Sequence, residues 1–149
     1  ALFSKICIES LKSLFWVPDV LVCNDWQTAF VPLLLKEKFQ SDEFYKKIKT
    51  VFILHSLNDL RNINPSCYSS LGIELGTKAK SIDNIELAFK HSDLIVITNK
   101  KLLSEVKRKA TLSKLINKNN CITLDIGPKS EKDEWKEASE AIYSKLKKL

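Results

Sequence analysis

The chain has 149 residues, of which 44% are hydrophobic, and it carries a formal net charge of +6 at pH 7. This length and composition suit one domain with a buried core and exclude an intrinsically disordered chain. The positive charge would permit binding to nucleic acid, but the lysines alternate with acidic residues along amphipathic segments, which is typical of solvated helix faces. The charge pattern therefore argues against nucleic acid as a partner.

The four cysteines, Cys7, Cys23, Cys67 and Cys121, lie far apart and form no C-x-x-C pair. Their spacing does not match a metal site, and we expect neither a metal nor a cofactor. The absence of a disulfide pattern indicates a reducing compartment, the cytoplasm. Except for Cys67, the cysteines lie in apolar stretches, where we expect them to be buried. No apolar run reaches the roughly 18 residues of a membrane span, so we expect no membrane partner.

The first half of the chain predicts helix, strand, helix and strand in that order. Apolar residues at three- and four-residue intervals predict a helix over residues 2–15. Short apolar runs predict buried strands over residues 19–23 and 48–54. The length and pattern of residues 26–39 predict a second helix, in which Pro32 should remove a hydrogen bond and cause a kink.

The second half begins with a long loop and then returns to alternating helices and strands. Polar residues together with Pro65 and Gly72 predict a loop over residues 56–81, with room for one irregular turn. Loops of this length tend to be functional or mobile. Beyond it we predict helices over residues 83–91 and 100–109, a turn at 111–117, and strands over 93–98 and 121–126.

The last strand should close at Gly127-Pro128, and a final helix should follow. Ser130 with Asp133 resembles a helix-start signal. The apolar residues of this helix are spaced to form one stripe: Trp135, Ala138, Ala141, Ile142 and Leu146.

Strands that alternate with helices indicate βαβ units, so we predict an α/β fold, a parallel sheet with helices on both faces. Polar residues follow two of the predicted strands, Asn24, Asp25 and Trp26 after the first and His55 and Ser56 after the second. Ligands of open parallel sheets bind outside the carboxyl ends of the strands. We therefore expect these residues to lie together at the mouth of one crevice.

These residues also have structural interpretations. Asn24 could cap the following helix while Gln27 reaches back to its amide, and Trp26 could belong to the core. His55 could be a buried histidine with satisfied hydrogen bonds. We interpret His91, at a helix end where a cation suits the dipole, as structural.

Three segments of the chain carry a family resemblance. They read PDVLVCNDWQTAFVPLLLK (18–36), IKTVFILHSL (48–57) and FKHSDLIVITNKKLLSEV (89–106). In order and spacing they resemble the N-terminal catalytic domain of bacterial glycogen synthases and plant starch synthases. That family has a strand ending in H-x-H-D-W, a helix containing V-P, and a strand K-T-V-F-T-I-H-N. The similarity runs over about residues 3–106.

The resemblance implies that residues 1–149 form a single Rossmann-like domain, one half of a two-domain glycosyltransferase. Such enzymes elongate an α-1,4-glucan from ADP-glucose or UDP-glucose in the cleft between the domains, so the implied partners are a glucan acceptor and a sugar nucleotide. By the same resemblance, Asp25 and His55 are the candidate catalytic residues. The candidate substrate-binding residues are Asn24, Trp26, Gln27 and Ser56.

The chain departs from the family pattern at several points. Asn24 replaces a histidine, Ser56 replaces an asparagine, and residues 58–61 replace A-Y-Q-G. The chain contains neither the family's K-x-G-G-L loop, which contacts the donor phosphates, nor another glycine-rich phosphate loop. We therefore expect the chain to be incomplete, inactive alone and dependent on a second domain or subunit.

The sequence leaves three hypotheses about function. The first is the acceptor-side domain of a glycogen or starch synthase, as a fragment or as one half of a split enzyme. The second is a non-catalytic remnant of that domain that binds glucan or a protein partner. The third is a basic module that binds nucleic acid, and its binding should weaken steeply with salt, whereas glucan binding should be nearly indifferent to salt.

Overall fold

The structure, a computed structural model, describes residues 1–76, 78–126 and 130–148. The strands in these residues are β1 (Val20–Asn24), β2 (Lys49–Leu54), β3 (Asn62–Ile63), β4 (Ile82–Asp83), β5 (Leu94–Ile97) and β6 (Cys121–Thr123). The α-helices are α1 (Leu2–Ser13), α2 (Phe30–Leu34), α3 (Ser66–Ser69), α4 (Asn84–His91), α5 (Lys100–Arg108), α6 (Ala110–Ser113) and α7 (Lys132–Leu146).

The central sheet has the strand order β1-β2-β5-β6 in the described part of the chain. All its neighbouring strands are parallel, with Asn24 beside Ile53 at the end of β1 and Leu54 beside Ile97 at the end of β2. β1 lies at one edge, where the side chain of Val22 is exposed. β3 and β4 form a separate antiparallel pair. The predicted α/β fold with a parallel sheet is confirmed.

Helices cover both faces of the central sheet, as predicted, but they cover them unequally. On one face α1, α2, α4, α5 and α6 bury a large apolar cluster that includes Phe52 and Ile97 of the sheet. On the other face Ala138 of α7 packs with Val51 and Val96 in a small cluster. Each fully buried apolar side chain stabilises the fold by about 1.5–3 kcal/mol. Most of the stabilisation therefore comes from the first face.

The segment after β1 differs from the single kinked helix that the sequence predicts. Trp26–Thr28 forms a 3-10 turn, α2 begins at Phe30, and Leu35–Phe39 continues as a π-helical turn. Pro32 is therefore the third residue of α2, and the first four N–H groups of a helix have no partner inside it. The proline therefore removes no hydrogen bond there, contrary to prediction.

The segment predicted as a loop over residues 56–81 holds more structure than expected. A 3-10 turn runs from Asp59 to Arg61, followed by β3 and by the short helix α3. β3 pairs with β4, in the register Asn62 to Asp83. This pairing connects residues 62–63, shortly after β2, to residues 82–83, just before α4.

The end of α1 lies at Ser13, before the predicted residue 15, and it forms a Schellman motif. The N–H of Trp16 donates to the Leu11 carbonyl at 3.0 Å, and the N–H of Phe15 donates to the Lys12 carbonyl at 3.2 Å. This motif places a residue in the left-handed conformation just after the helix, usually a glycine. Here Phe15 occupies that position with φ of 50°.

The start of α7 is capped by Glu131 and Glu134, and not by the predicted pair Ser130 and Asp133. The carboxylate of Glu134 accepts a hydrogen bond from the N–H of Glu131 at 2.8 Å, and the Glu131 side chain accepts one in return from the Glu134 backbone. Both pairs have the spacing of a capping box, so the spacing alone does not predict which pair caps the helix. The predicted strand end at Gly127-Pro128 lies outside the described residues.

Cys7 is exposed, contrary to prediction, because α1 buries the face that carries Ser4, Ile8 and Leu11. Cys23 is buried, Cys121 is half-buried, and all the cysteines are free. No helix in the described residues has both the length and the apolar character needed to cross a bilayer.

Candidate functional site

The polar residues at the ends of β1 and β2 form two bonded pairs. Nε2 of His55 lies 3.2 Å from Oδ1 of Asn24. The Ser56 hydroxyl donates to Oδ2 of Asp25 at 3.0 Å. The backbone N–H of Asp25 extends the strand pairing by donating to the Ile53 carbonyl at 2.8 Å. The structure thus brings together four of the six residues proposed for the site, at the edge where the parallel strands end.

The contact between Asn24 and His55 fixes the histidine ring. Because the amide oxygen of Asn24 can only accept, Nε2 of His55 carries the donated proton. Both side chains are exposed at the end of the sheet. The pair therefore presents a histidine of defined orientation to solvent. The interpretation of Asn24 as a helix cap is wrong, because its side chain is engaged across the strands.

Asp25 combines two features that destabilise a fold. Its backbone has φ of 55° and ψ of −170°, a combination that suits glycine and costs other residues about 1–3 kcal/mol. Its Oδ1 atom is buried and has no hydrogen-bond partner among the described residues. An orphaned buried polar atom typically costs a further 1–3 kcal/mol or so. Such costs are concentrated at functional sites, where an incoming group can complete the missing bond.

A chain of hydrogen bonds holds Ser56 in place. The Asn58 amide donates to the Ser56 hydroxyl at 3.2 Å, and Nη1 of Arg61 donates to the Asn58 carbonyl at 2.7 Å. Nε of Arg61 donates to Oδ2 of Asp83 at 2.9 Å. The other carboxylate oxygen of Asp83 accepts the N–H of Ile85 and so caps α4. These hydrogen bonds connect residues 56–61, called the site loop below, to the start of α4.

Asn58, Arg61 and Asp83 are the members of this network that the sequence did not predict. Arg61 is buried although it carries a charge, and 22 residues separate it from its partner. No local pattern links residues so far apart. The antiparallel pairing of β3 with β4, which brings them together, arises from strands of two residues each, too short to be read from alternation.

Trp26 and Gln27 do not join the cluster of polar pairs. The Trp26 side chain is half-buried against the large apolar cluster, and its carbonyl accepts a hydrogen bond from Asn84 at 3.3 Å. Oδ1 of Asn84 accepts in turn from the Tyr68 hydroxyl at 3.2 Å. Burial raises the pKa of Tyr68 well above its ordinary value, so the phenol stays a neutral donor. Gln27 is exposed on the 3-10 turn.

Two cavities open beside His55. The smaller, of about 330 Å³, is also lined by Ser56 and Asn58 from the loop and by Lys101 and Glu105 from α5. The larger, of about 580 Å³, lies towards α7. The histidine at the end of β2 is thus accessible from both sides of the strand end.

Comparison with known proteins identifies the family. The family model for the starch synthase catalytic domain matches residues 1–118. The chain belongs to this family. The resemblance inferred from the three sequence segments is therefore confirmed, and it extends beyond residue 106.

Bacterial glycogen synthases are among the relatives of the chain. That of Pelodictyon phaeoclathratiforme is 33% identical over 109 residues, covering 70% of this chain and 22% of the relative. That of Clostridium perfringens is 47% identical over 57 residues, covering 38% and 12%. That of Chlorobium phaeovibrioides is 25% identical over 157 residues, covering 97% and 32%. The chain thus spans a third or less of the length of these relatives.

A solved structure shares the fold. The catalytic domain of Starch Synthase IV from Arabidopsis thaliana, bound to ADP and acarbose, superposes with a TM-score of 0.67. The match covers 84% of this chain and 28% of that protein, at 20% sequence identity. At this identity the likeness shows a common fold. It agrees with the parallel sheet and the covering helices described above.

Proposed function

We propose that this chain forms the acceptor side of the active-site cleft in a glycogen or starch synthase, a glucosyltransferase that elongates an α-1,4-glucan from ADP-glucose or UDP-glucose. The observation that carries the proposal is the cluster at the ends of β1 and β2, where Asn24 bonds to His55 and Asp25 bonds to Ser56. Membership of the starch synthase catalytic-domain family supports the assignment of this cluster to sugar transfer.

His55 would contact the transferred sugar. Its ring is exposed, and Asn24 fixes both its orientation and the position of its proton. A donor held in place before the substrate arrives stabilises developing charge without having to reorganise. Asn24 would act as a positioning residue for the histidine in this role. The chemistry assigned to the pair is electrostatic and needs no covalent intermediate on the protein.

Asp25 would contribute a carboxylate whose hydrogen bonding is half complete. Ser56 occupies one oxygen, while the other is buried and has no partner among the described residues. A hydroxyl of the substrate, or a donor from another part of the complete enzyme, would supply the missing bond. Trp26 and Gln27, which lie beside this carboxylate in sequence, would bind substrate from the adjoining 3-10 turn.

The complete activity requires more protein than this chain supplies. The chain spans between 12% and 32% of the relatives described above. A second domain or subunit would hold the sugar nucleotide, and the glucan and the nucleotide would meet in the cleft between the two parts. We place the protein in the cytoplasm, because its cysteines are free. No observation favours the alternative of a non-catalytic binding module.

The test is the exchange of His55 for alanine in an active full-length protein that contains this domain. We expect His55→Ala to lower kcat on the order of 100-fold, because one preorganised donor is lost. The assay is incorporation of labelled glucose from ADP-glucose, and in parallel from UDP-glucose, into glycogen.

A matched control is His91→Gln, because His91 bonds to the Leu87 carbonyl and to Glu37, away from the strand ends. This variant should keep its kcat. An unchanged kcat in His55→Ala would overturn the site assignment. The purified chain alone serves as the second control, and measurable glucose transfer by it would contradict the proposed need for a second part.

A further inference from the structure

A groove lies beside α7 at the ends of the central strands, next to the Asn24–His55 pair. Its volume is about 580 Å³, within the usual range of small-molecule pockets. Ile53 and Leu124 lie on the sheet side, and Trp135 and Ala138 line it from the helix. Because Asn24 and His55 also line it, the groove is continuous with the proposed active site.

The groove combines apolar walls with polar side chains. Besides Asn24 and His55, the side chains of Thr98, Asn99 and Ser139 line it. None of the described residues that line it is a lysine, arginine, aspartate or glutamate. A phosphate-bearing ligand needs cations or a cradle of amide groups. The lining therefore suits an uncharged ligand with hydroxyl groups better than a nucleotide.

Trp135 gives the groove an aromatic wall. Its side chain is 50% exposed, although tryptophan is among the side chains that gain most from burial. Ala138, Ser139 and Ile142 follow it at helical spacing and line the same groove, so this face of α7 is turned towards the opening. A half-exposed indole offers a flat apolar surface with a polar edge. The C–H face of a pyranose ring matches that surface.

We propose that this groove is a subsite for one glucose unit of an α-glucan, with the sugar ring stacked on Trp135 and its hydroxyls bonded to these polar side chains. The proposal rests on the proposed function and adds a location to it, because the shared residues Asn24 and His55 connect the subsite to the place of transfer. Because a glucan carries no charge, its binding to this site is nearly independent of ionic strength.

The test is a titration of the isotope-labelled chain with maltoheptaose, followed by NMR shifts of backbone amides. Shifts at Asn24, His55, Ala138 and Ser139 with maltoheptaose, and not with ADP, are the expected result. Shifts confined to other surfaces, or shifts of these amides with ADP but not with the sugar, would overturn the proposal. This measurement uses the unmodified chain and does not depend on the folding of a variant.

Substitution of Trp135 provides the second arm. Trp135→Ala should weaken maltoheptaose binding roughly tenfold or more, and Trp135→Phe should restore most of it, because the stacking surface returns. Trp16→Ala is the matched control, since Trp16 is 59% exposed and does not line the groove. Equal affinity of Trp135→Ala and the unmodified chain would refute the subsite.

The two proposals fail in distinguishable ways. Sugar binding that depends on Trp135, in a full-length protein that transfers no glucose, would leave the subsite standing and remove the proposed function. Glucose transfer that is insensitive to Trp135 at every glucan concentration would remove the subsite and leave the function standing.

Discussion

Phe15 and Asp25 share one backbone feature and differ in everything around it. Both are non-glycine residues with positive φ, at 50° and 55°, and each follows a regular element, α1 or β1. Phe15 is 93% exposed, and the hydrogen bonds of the Schellman motif are complete around it. Asp25 instead has a buried carboxylate oxygen without a partner among the described residues, and lies beside His55, Ser56 and Asn24.

The comparison shows that backbone strain alone does not mark a functional site. At Phe15 the left-handed conformation ends a helix, and a glycine would do the same with less strain. At Asp25 the strain coincides with a polar side chain that is tied into a network reaching to Arg61 and Asp83. The combination of a strained residue, an incomplete carboxylate and a supporting network distinguishes the second region from the first.

The largest effect should come from Asp25→Asn. Asparagine keeps the shape and the same backbone strain as aspartate, so the free energy of unfolding should change little. The loss of the carboxylate should lower kcat of the full-length protein on the order of 100-fold. Glucose transfer and urea unfolding measure the two quantities. An unchanged kcat would show that Asp25, like Phe15, is strained without contributing to catalysis.

Arg61→Ala should have an intermediate effect, on the free energy of unfolding. It leaves the largely buried carboxylate of Asp83 without its partner, and we expect a loss of about 2 kcal/mol. Lys12→Ala is the control, because the Lys12–Asp42 pair is exposed and such pairs contribute about 0–1 kcal/mol. Urea unfolding compares them, and equal losses in the two variants would show that the network does not support the site loop.

The smallest effect should be a gain in stability from Phe15→Gly. Glycine relieves the positive φ, and the exposed phenyl ring gives up little, so the free energy of unfolding should rise by about 1 kcal/mol. Phe15→Ala keeps the strain and separates the backbone effect from the loss of the ring. Should both variants unfold at the same urea concentration, the strain assigned to Phe15 would be absent.

The sequence was sufficient for the parts of the fold that depend on local pattern. Short apolar runs predicted β1, β2 and β5. The rule for parallel strands predicted that Asn24 and Asp25 lie next to His55 and Ser56. The roles of those residues remain predictions. Pro32 was misread because the chain inserts a 3-10 turn before α2, which moves the proline into a first turn.

The remaining features depend on residues far apart in the chain or on equivalent local choices. Arg61 meets Asp83 through a strand pair too short to be seen in the pattern. Ser130 with Asp133 and Glu131 with Glu134 have the same spacing, and the structure shows that the second pair caps α7. The sequence predicts Trp135 only as a member of the apolar stripe of the final helix. The position of α7 in the structure shows that its ring lines a groove.

The exposed edge of the central sheet has a consequence for work with this chain. β1 reads Val-Leu-Val-Cys-Asn, without a charge or a proline, and Val22 is exposed on it. An edge strand without a charged residue or a proline can pair with a strand of another molecule. We therefore expect edge-to-edge self-association in concentrated solutions of the chain. Val22→Lys should reduce it without changing the residues at the strand end.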